Sequence, residues 1–448
     1  MKSETRPSPD RTPIRIDAAG AADARVDLPY PVSLLFQPPT HPTRPGTLLA
    51  LDRPEAVDHH PAAGAATTIR LPQAILLPGL VNAHAHLDLT HVGPRPHDTA
   101  AGFTPWIDMV RRARHSDPDQ ISASVARGIE ASLRGGTVLV GDIAGATTQG
   151  PSDVPADILS TSPLAGVTFL EFFGIGTREP TWRGRVEAVG ARLRRSGLHR
   201  VSLSPHSPLS VSRALYTIAA ELAGDLPLAT HLAESPEEAQ FLRDGSGPHR
   251  TFLEGLGLWN DTILRDLQRS PAGYVREAFD RARFLAVHVN DCADDLVDLL
   301  ARTGASVAYC PRASAYFGFD ASLGPHRYRD LLASGVNVCL GTDSVINLPR
   351  ADRLSVLDDA RLLFRRDAID PRRLLEMMTV NGARALGFDP AWWTFRAGEP
   401  LAGVAAVEAG PTLQGVFESE SPACAILGLR GLALSVMNTM DMERDGVE

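Results

Sequence analysis

Residues 81–91 read Val-Asn-Ala-His-Ala-His-Leu-Asp-Leu-Thr-His and directly follow the apolar run Ala-Ile-Leu-Leu-Pro-Gly-Leu at residues 74–80. In an extended strand, residues two apart point to the same side. His84 and His86 can therefore direct two imidazoles at one point from the end of a buried strand. That is the arrangement a zinc-type metal requires. Because surface strands produce such pairs by chance, the assignment depends on further ligands downstream.

Four later apolar runs each end in a polar side chain. They occupy residues 201–205, 226–230, 283–287 and 336–342, and lead into His206, His231, His288 and Asp343 in that order. Glu234 lies three residues beyond His231, and helical patterns separate the runs. Strand alternating with helix is typical of a parallel sheet. Polar groups at the carboxyl ends of successive strands are how a (β/α)8 barrel assembles an active site.

The whole chain is predicted to be α/β, with eight barrel strands, the number that closes such a barrel. These are residues 75–82, 137–142, 166–172, 201–204, 226–230, 284–287, 306–309 and 336–340. Strand-like pieces at residues 47–51, 68–71, 401–407 and 412–417 predict a small β-sandwich domain built from both termini.

Three regions follow from this reading. Residues 1–74 are the N-terminal tail and first part of the β domain, residues 75–390 the TIM barrel, and residues 391–448 the second part of the β domain and the C-terminal tail. Residues 244–282 are longer than a simple connection, and an insertion over the mouth and an extended helix pair are both open.

Composition limits the function classes. The 448 residues are 44% hydrophobic and 22% charged, ordinary values for a globular enzyme, and the formal net charge is −9. An acidic surface disfavours nucleic acid and anionic membranes as partners. No run has the length of a membrane span, and the first residues lack an apolar secretory region. With four scattered cysteines, the expected location is the cytoplasm.

Lysine occurs once, at Lys2 in the N-terminal tail. The barrel therefore has no lysine to form a Schiff base, nor one to be carboxylated as a bridge between two metals. We expect a mononuclear metal site.

The order His-x-His, His-x-x-Glu, His and Gly-Thr-Asp-Ser resembles the amidohydrolase superfamily. Within it, the chain is similar to the branch that holds cytosine, guanine and adenosine-type deaminases and triazine hydrolases. The resemblance covers residues 76–387 and rests on five segments in the same order: residues 78–86, 204–208, 230–235, 310–312 and 340–344. Residues 82–90 and 309–318 resemble aminofutalosine deaminases in particular.

The resemblance assigns roles that fit the chemistry of the residues. His84, His86, His231 and Asp343 would hold one divalent metal, Zn²⁺ first, with Fe²⁺ or Mn²⁺ as alternatives. The metal would activate a water that attacks a C–NH₂ carbon and releases ammonia. Asp343 would take the proton from that water, Glu234 would protonate a ring nitrogen, and His288 would hydrogen-bond the developing oxygen.

Substrate contacts are expected from His206, Glu171, Trp106 and Arg312, where Trp106 could stack on a heterocycle. Packing is the alternative for His206 and Trp106, and an ordinary carboxylate at the rim is the alternative for Glu171. His91, His97 and His326 are expected at the surface. The expected substrate is a small aminated heterocycle or nucleoside, aminofutalosine first, and the resemblance implies a homodimer. Departures from the related pattern occur after the first strand, where Asp88 stands in place of Glu, and at Ser314 and Ala402-Gly403.

Two other functions remain open. The same machinery could act on another leaving group, as in an s-triazine chlorohydrolase or a cyclic amide hydrolase. A non-catalytic barrel that serves in binding or assembly is the third reading, and it predicts the loss of a ligand or of Glu234.

Overall fold

The structure is a computed structural model, and it describes residues 12–41, 43–147, 150–429 and 431–432. The N-terminal tail with Lys2 and most of the predicted C-terminal tail lie outside these residues. None of the helices in the described residues is long and apolar enough to cross a membrane.

The described strands are β1 Ile14–Ala22, β2 Asp27–Leu28, β3 Val32–Gln37, β4 Gly46–Asp52, β5 Thr67–Pro78, β6 Leu80–Ala85, β7 Thr137–Ala144, β8 Ala165–Phe172, β9 His199–Pro205, β10 Leu228–Leu232, β11 Phe284–His288, β12 Ser306–Tyr309, β13 Asn337–Leu340, β14 Pro400–Leu401, β15 Val404–Glu408, β16 Ala423–Gly428 and β17 Gly431–Leu432.

The described α-helices are α1 Pro54–Asp58, α2 Phe103–Ala113, α3 Pro118–Arg134, α4 Val154–Thr161, α5 Glu179–Val189, α6 Arg213–Ala223, α7 Pro236–Asp244, α8 Pro248–Gly255, α9 Asp261–Asp266, α10 Pro271–Phe279, α11 Asp294–Thr303, α12 Pro311–Phe317, α13 Phe319–Leu323, α14 Tyr328–Ala333, α15 Val356–Asp367, α16 Pro371–Met378, α17 Val380–Ala385 and α18 Leu413–Glu418.

Eight parallel strands, β6 to β13, form the barrel. They pair in chain order as two four-stranded sheets, β6 to β9 and β10 to β13. Two sets of backbone bonds join the sheets: His231 N donates to His206 O at 2.9 Å, and Thr342 N and Asp343 N donate to His84 O at 3.0 and 3.1 Å. Both joins lie at the carboxyl ends of the strands, so the predicted metal ligands are part of the barrel closure.

Asn82 fastens the second join. Its side-chain amide donates to Thr342 Oγ1 at 2.8 Å and accepts from Thr342 N at 3.1 Å. All of these groups are buried. Buried polar groups need such partners, because an unpaired one is costly. Asn82, two residues before His84, therefore holds β6 against the segment that leads from β13 to Asp343.

The strands of both termini form one sheet of nine, in which β5 lies between β1 and β15. The N-terminal strand β1, which the sequence pattern did not single out, runs parallel to β5. Two stacked layers, as in a β-sandwich, remain a prediction. A core of apolar side chains from both ends of the chain, including Ile16, Leu34, Phe36, Leu76 and Leu427, lies on this sheet.

Two expectations from the sequence are wrong. The first barrel strand begins at Leu80 rather than at residue 75, because residues 75–78 extend β5, where Ile75 pairs with Val407 of β15. The change of sheet occurs at Pro78-Gly79, where a side chain on Gly79 would lie 2.5 Å from Val138. Residues 74 and 75 both belong to β5, and the division of the chain into three regions stays a prediction.

Residues 412–417 were expected to be a strand and instead form α18. Thr412 caps this helix by accepting from Gly415 N at 3.2 Å. Leu413, Val416 and Phe417 are buried at the helical spacing of three and four residues. Residues 244–282, for which the sequence left an insertion over the mouth and an extended helix pair as alternatives, contain the three helices α8, α9 and α10.

Candidate metal-dependent active site

The carboxyl ends of the barrel strands bring four predicted ligands together. His84 belongs to β6, His86 follows it, His231 belongs to β10 and Asp343 follows β13. His84 Nε2 and His86 Nε2 lie 3.5 and 3.4 Å from Asp343 Oδ1, and His86 Nε2 lies 3.3 Å from His231 Nε2. All four side chains are buried.

These spacings fit a metal. Four ligands at the vertices of a tetrahedron, each bound at about 2.0–2.1 Å, lie roughly 3.3 Å from one another. His231 Nδ1 faces the backbone oxygen of His206 at 3.1 Å, which leaves its Nε2 with the lone pair directed into the cluster. The sets His84, His86, Asp343 and His84, His231, His288 each lie within the range of a shared ion.

The protonation of the cluster also suits metal binding. Burial lowers the pKa of His86 well below its usual value and that of His231 to about 3, and nearby histidines add to both effects. Burial would raise the pKa of Asp343, but the hydrogen bond with His84 and the charges of neighbouring histidines keep it below its ordinary value. Neutral imidazoles and an ionised carboxylate are the forms that bind a metal.

Backbone strain is concentrated here. Of the six non-glycine residues with positive φ in the described part of the chain, four follow or end barrel strands: Ala233 (51°), His288 (73°), Val289 (57°) and Asp343 (57°). A positive φ on a β-branched residue such as Val289 is unusual. Ordered partners hold these turns, since Val289 N donates to Leu232 O at 3.0 Å and Asp343 N to His84 O at 3.1 Å. Strain of this kind clusters at functional sites.

Glu234 and His288 form the next layer of the site. Glu234 Oε1 lies 3.3 Å from His288 Nε2, which has no hydrogen-bond partner among the described residues. Burial, together with the charge of Asp343, raises the pKa of Glu234 well above its usual value. Burial lowers the pKa of His288 well below its usual value. Burial therefore favours the protonated form of the Glu234 carboxyl and the neutral form of the His288 imidazole beside it.

Glu238 orients Glu234, a role that the sequence did not suggest. Its two oxygens accept from Ala233 N at 2.9 Å and from Glu234 N at 3.1 Å, and all these groups are buried. Asn290 Nδ2 adds a bond of 3.0 Å to Glu234 O. The positive φ of Ala233 lets both amides face the same carboxylate. Burial raises the pKa of Glu238 to about 7.

His206 and Glu171 lie beside the ligands. The His206 ring is 4.9 Å from that of His231, and its Nε2 is 3.8 Å from Glu171 Oε1. Its Nδ1 is bonded to the hydroxyls of Ser207 and Ser210, at 3.0 and 2.7 Å. Burial raises the pKa of Glu171 to about 7, against the opposing effect of Arg114.

Arg114 is at the centre of an acidic cluster that the sequence reading missed. Its guanidinium contacts Glu171 at 2.7 Å and Asp88 at 3.3 Å. Asp142 accepts from Leu87 N at 3.0 Å, and burial and the charge of Asp88 raise its pKa well above the usual value. Arg114 therefore supplies one positive charge near three buried carboxyl groups, those of Asp88, Asp142 and Glu171. No sequence motif marked it, because Arg114 follows a helix rather than a strand.

Trp106 and Arg312, also expected to bind substrate, have different surroundings. Trp106 is half-buried and packs on Phe103 and Phe317, with ring centroids 5.7 and 5.0 Å apart. Arg312 donates to Asp359 Oδ2 at 2.7 Å and to Ser355 O at 2.9 Å. These contacts fasten α12 to α15 and indicate a structural role for Arg312.

His326, expected at the surface, is buried. Its ring stacks on Tyr309 at 3.7 Å, and its Nε2 is 2.8 Å from the backbone oxygen of His288. The surface assignment was therefore wrong. His326 supports the strained end of β11, a contact between distant residues that no local pattern shows.

Comparison with known proteins agrees with this architecture. The model of the amidohydrolase family matches residues 75–391. The aminodeoxyfutalosine deaminase of Deinococcus radiodurans is 30% identical over 343 residues, which are 70% of this chain and 74% of that protein. A 5-methylthioadenosine/S-adenosylhomocysteine deaminase of Haloarcula marismortui is 26% identical over 358 residues, 77% and 74% of the two chains.

A solved structure shows the same fold. The crystal structure of an adenosine deaminase from Xanthomonas campestris with bound zinc superposes with a TM-score of 0.67. The match covers 96% of this chain and 98% of that one, at 20% identity. At this identity the likeness concerns the TIM-barrel-like α/β fold alone.

Proposed function

The chain belongs to the amidohydrolase family and is a hydrolase of carbon–nitrogen bonds, and from this premise we propose that it is a metal-dependent deaminase of a purine nucleoside. The amino group would leave as ammonia, and an aminofutalosine-type nucleoside is the first candidate substrate. The observation that carries the proposal is the placement of Glu234 and His288 beside the convergent cluster of His84, His86, His231 and Asp343.

The donor set fits one divalent ion, Zn²⁺ first, with Fe²⁺ or Mn²⁺ as alternatives. His84, His86, His231 and Asp343 would hold it. When bound, such an ion polarises water and lowers its pKa towards neutrality.

The remaining steps belong to the side chains. Asp343 is the proton acceptor, because its carboxylate is kept ionised among the histidines. Glu234, whose protonated form is favoured by burial, delivers a proton to the ring nitrogen next to the C–NH₂ carbon. Asp343 then passes the proton that it took from water to the amino group, which leaves as ammonia, while Glu234 takes up the proton of the new hydroxyl group. His288 hydrogen-bonds the oxygen that develops charge at that carbon.

The substrate lies against His206 and Glu171 in this proposal. Glu171 Oε1 has no hydrogen-bond partner among the described residues and can accept from a substrate hydroxyl or ring N–H. Trp106, at the mouth, can contact an aromatic part of the substrate. Arg312 is left out because its guanidinium already bonds to Asp359 and Ser355.

A substrate panel tests the proposal. Purified protein loaded with Zn²⁺ is assayed for ammonia release from aminofutalosine, adenosine, methylthioadenosine, adenosylhomocysteine, guanine and melamine, and for chloride release from atrazine. Ammonia from an aminopurine nucleoside at a k_cat/K_M of about 10⁴ M⁻¹s⁻¹ or more supports it. Chloride release with no ammonia would instead indicate an s-triazine hydrolase, and neither product would favour the cyclic amide or non-catalytic readings.

A further inference from the structure

Helix α2 lies across the mouth of the barrel. It follows β6, yet its first residues contact Glu237 of α7, which follows β10 on the opposite side of the barrel. Midway, Trp106 packs on Phe317 of α12, which follows β12. At its far end, Arg114 pairs with Glu171 of β8. Helix α2 and Arg114 therefore contact elements that belong to or follow three other barrel strands, β8, β10 and β12, at the end of the barrel that holds the ligand cluster (His84, His86, His231 and Asp343).

Glu237 caps this helix from another part of the chain. The N-cap residue of α2 is Gly102, which has no side chain to accept the first free amides. Glu237 supplies both acceptors: Oε1 accepts from Phe103 N at 2.7 Å and Oε2 from Thr104 N at 3.0 Å. The Thr104 hydroxyl donates to the same carboxylate. A negative charge at a helix N-terminus is also favoured by the helix dipole.

Gly102 is required for this contact. Its φ is +80°, which favours glycine, and a Cβ at this position would lie 2.7 Å from Glu237 Oε1. A side chain on residue 102 would therefore displace the carboxylate. Glu237 is only three residues from Glu234, so one short segment carries both the proposed acid and the contact to α2.

The proposed ligands and Glu234 are buried in this arrangement. His84, His86, His231, Asp343 and Glu234 are each at most 8% exposed. A nucleoside must pass the mouth of the barrel to reach these groups, and α2 crosses it. Helix α2 packs there through two apolar clusters, Val110 with Leu89, Val92 and Ile346, and Phe103 with Phe317 and Phe319. Glu237 adds the polar contact at its N-terminal end.

We propose that Glu237 is a positioning residue that clamps α2 over the ligand cluster and sets both the opening of the mouth and the placement of Trp106. The part of this inference that concerns substrate rests on the proposed function. The part that concerns opening of the mouth does not.

Two measurements test the clamp without a substrate. Hydrogen–deuterium exchange of residues 103–113 and the rate at which dipicolinate removes Zn²⁺ are compared in the wild type, Glu237→Gln, Glu237→Ala and Gly102→Ala. Loss of a helix cap predicts exchange about fivefold faster in Glu237→Ala, with metal removal accelerated in proportion. Glu237→Gln, which keeps one acceptor oxygen, should be intermediate. Gly102→Ala should match Glu237→Ala.

Gln240→Ala is the matched control, because Gln240 lies on the same helix but its side-chain amide donates to Ser246. It should leave both rates unchanged. Unchanged exchange of residues 103–113 in Glu237→Ala would overturn the clamp. Faster exchange with unchanged metal removal would show that α2 does not control access to the cluster, and would overturn it as well.

Kinetics complete the test on whichever nucleoside releases ammonia. Glu237→Ala should raise K_M about fivefold and lower k_cat less, because the closed complex with Trp106 in place becomes less favoured. Equal K_M and k_cat in the variant and wild type would contradict the role of Glu237 in positioning. If the wild type releases no ammonia, the proposed function fails, while the exchange and metal-removal rates still decide whether the clamp exists.

Discussion

Glu234 and Asp343 are two buried carboxyls in one site whose pKa values shift in opposite directions. Burial dominates at Glu234 and raises its pKa, whereas contact with the histidines lowers that of Asp343. Pairs of this kind divide the acid and base roles of a reaction between them. Replacing Glu234 and replacing Asp343 are therefore expected to impair the enzyme in different ways.

Glu234→Gln should leave the fold and the metal content intact and lower k_cat by about 10²–10⁴, the usual contribution of a general acid. The amide keeps the shape of the side chain but has no proton to transfer. Steady-state kinetics and metal analysis check this, with Glu277→Gln on the surface of α10 as control. A k_cat within threefold of the wild type would exclude Glu234 as the acid.

Asp343→Asn should lose both activity and metal affinity, because the variant lacks an anionic ligand as well as the proton acceptor. Loss of one ligand commonly weakens binding by more than tenfold, the lower range found even for outer partners of ligands. Titration with a competing chelator measures the affinity. If Asp343→Asn binds the metal as tightly as the wild type does, Asp343 is not a ligand.

Glu238→Ala should destabilise the protein although Glu238 does not touch the proposed ligands. It leaves Ala233 N and Glu234 N buried without an acceptor, at a cost of about 1–3 kcal/mol for each. Chemical denaturation gives the free energy of unfolding, and the exposed Glu254→Ala serves as comparison. Equal stability of the two variants would show that the bonds from Glu238 are dispensable.

The elements show where sequence patterns succeed and where they fail. Strands β7 to β13 were predicted within a few residues, since each is a buried apolar run bounded by helical patterns. The β5–β6 junction was misplaced, because residues 74–80 are uniformly apolar and only Pro78-Gly79 marks the change of sheet. The apolar content of residues 412–417 suggested a strand, but Leu413, Val416 and Phe417 repeat at helical spacing, and the cap at Thr412 and tertiary packing select a helix.

Helix α18 depends on that cap. Thr412→Ala should lower the free energy of unfolding by about 1 kcal/mol, whereas Thr412→Ser, which keeps a hydroxyl, should change it little. Thermal and urea denaturation of both variants and the wild type measure these changes in the free energy of unfolding. An identical loss in the two would assign the effect to the Thr412 methyl group rather than to the hydrogen bond from Gly415 N.

At the scale of the whole molecule, the sequence predicted which side chains converge at the carboxyl end of the barrel, but not the residues that support them; the role of these side chains as metal ligands stays a prediction. His84, His86, His231 and Asp343 each follow an apolar run, so their order along the chain specified the site. Arg114 and Glu237 act through contacts between residues far apart in the chain, which no local spacing records. Glu238 bonds the backbone of residues four and five before it, through a turn that depends on the positive φ of Ala233. The contacts of these residues exist only in the folded barrel, so the sequence alone does not show them.

Because the ligands come from β6, β10 and β13, a bound ion should stabilise the closed barrel as a unit. At free Zn²⁺ of 100 times its dissociation constant, linkage predicts a gain of about 2.7 kcal/mol in the free energy of unfolding. The gain should disappear in His86→Ala at the same metal concentration. A gain of equal size in that variant would place the ion elsewhere.

The most direct test of the central claim is ammonia release from aminofutalosine by metal-free protein titrated with Zn²⁺. We predict that the metal-free protein is inactive and that activity rises linearly until one ion is bound per chain, then stops rising. Ammonia release that persists after complete metal removal would contradict the account. If the fully zinc-loaded protein released no ammonia from aminofutalosine, the assigned substrate would be wrong. If it released none from any aminopurine nucleoside, the assignment as a deaminase would be wrong.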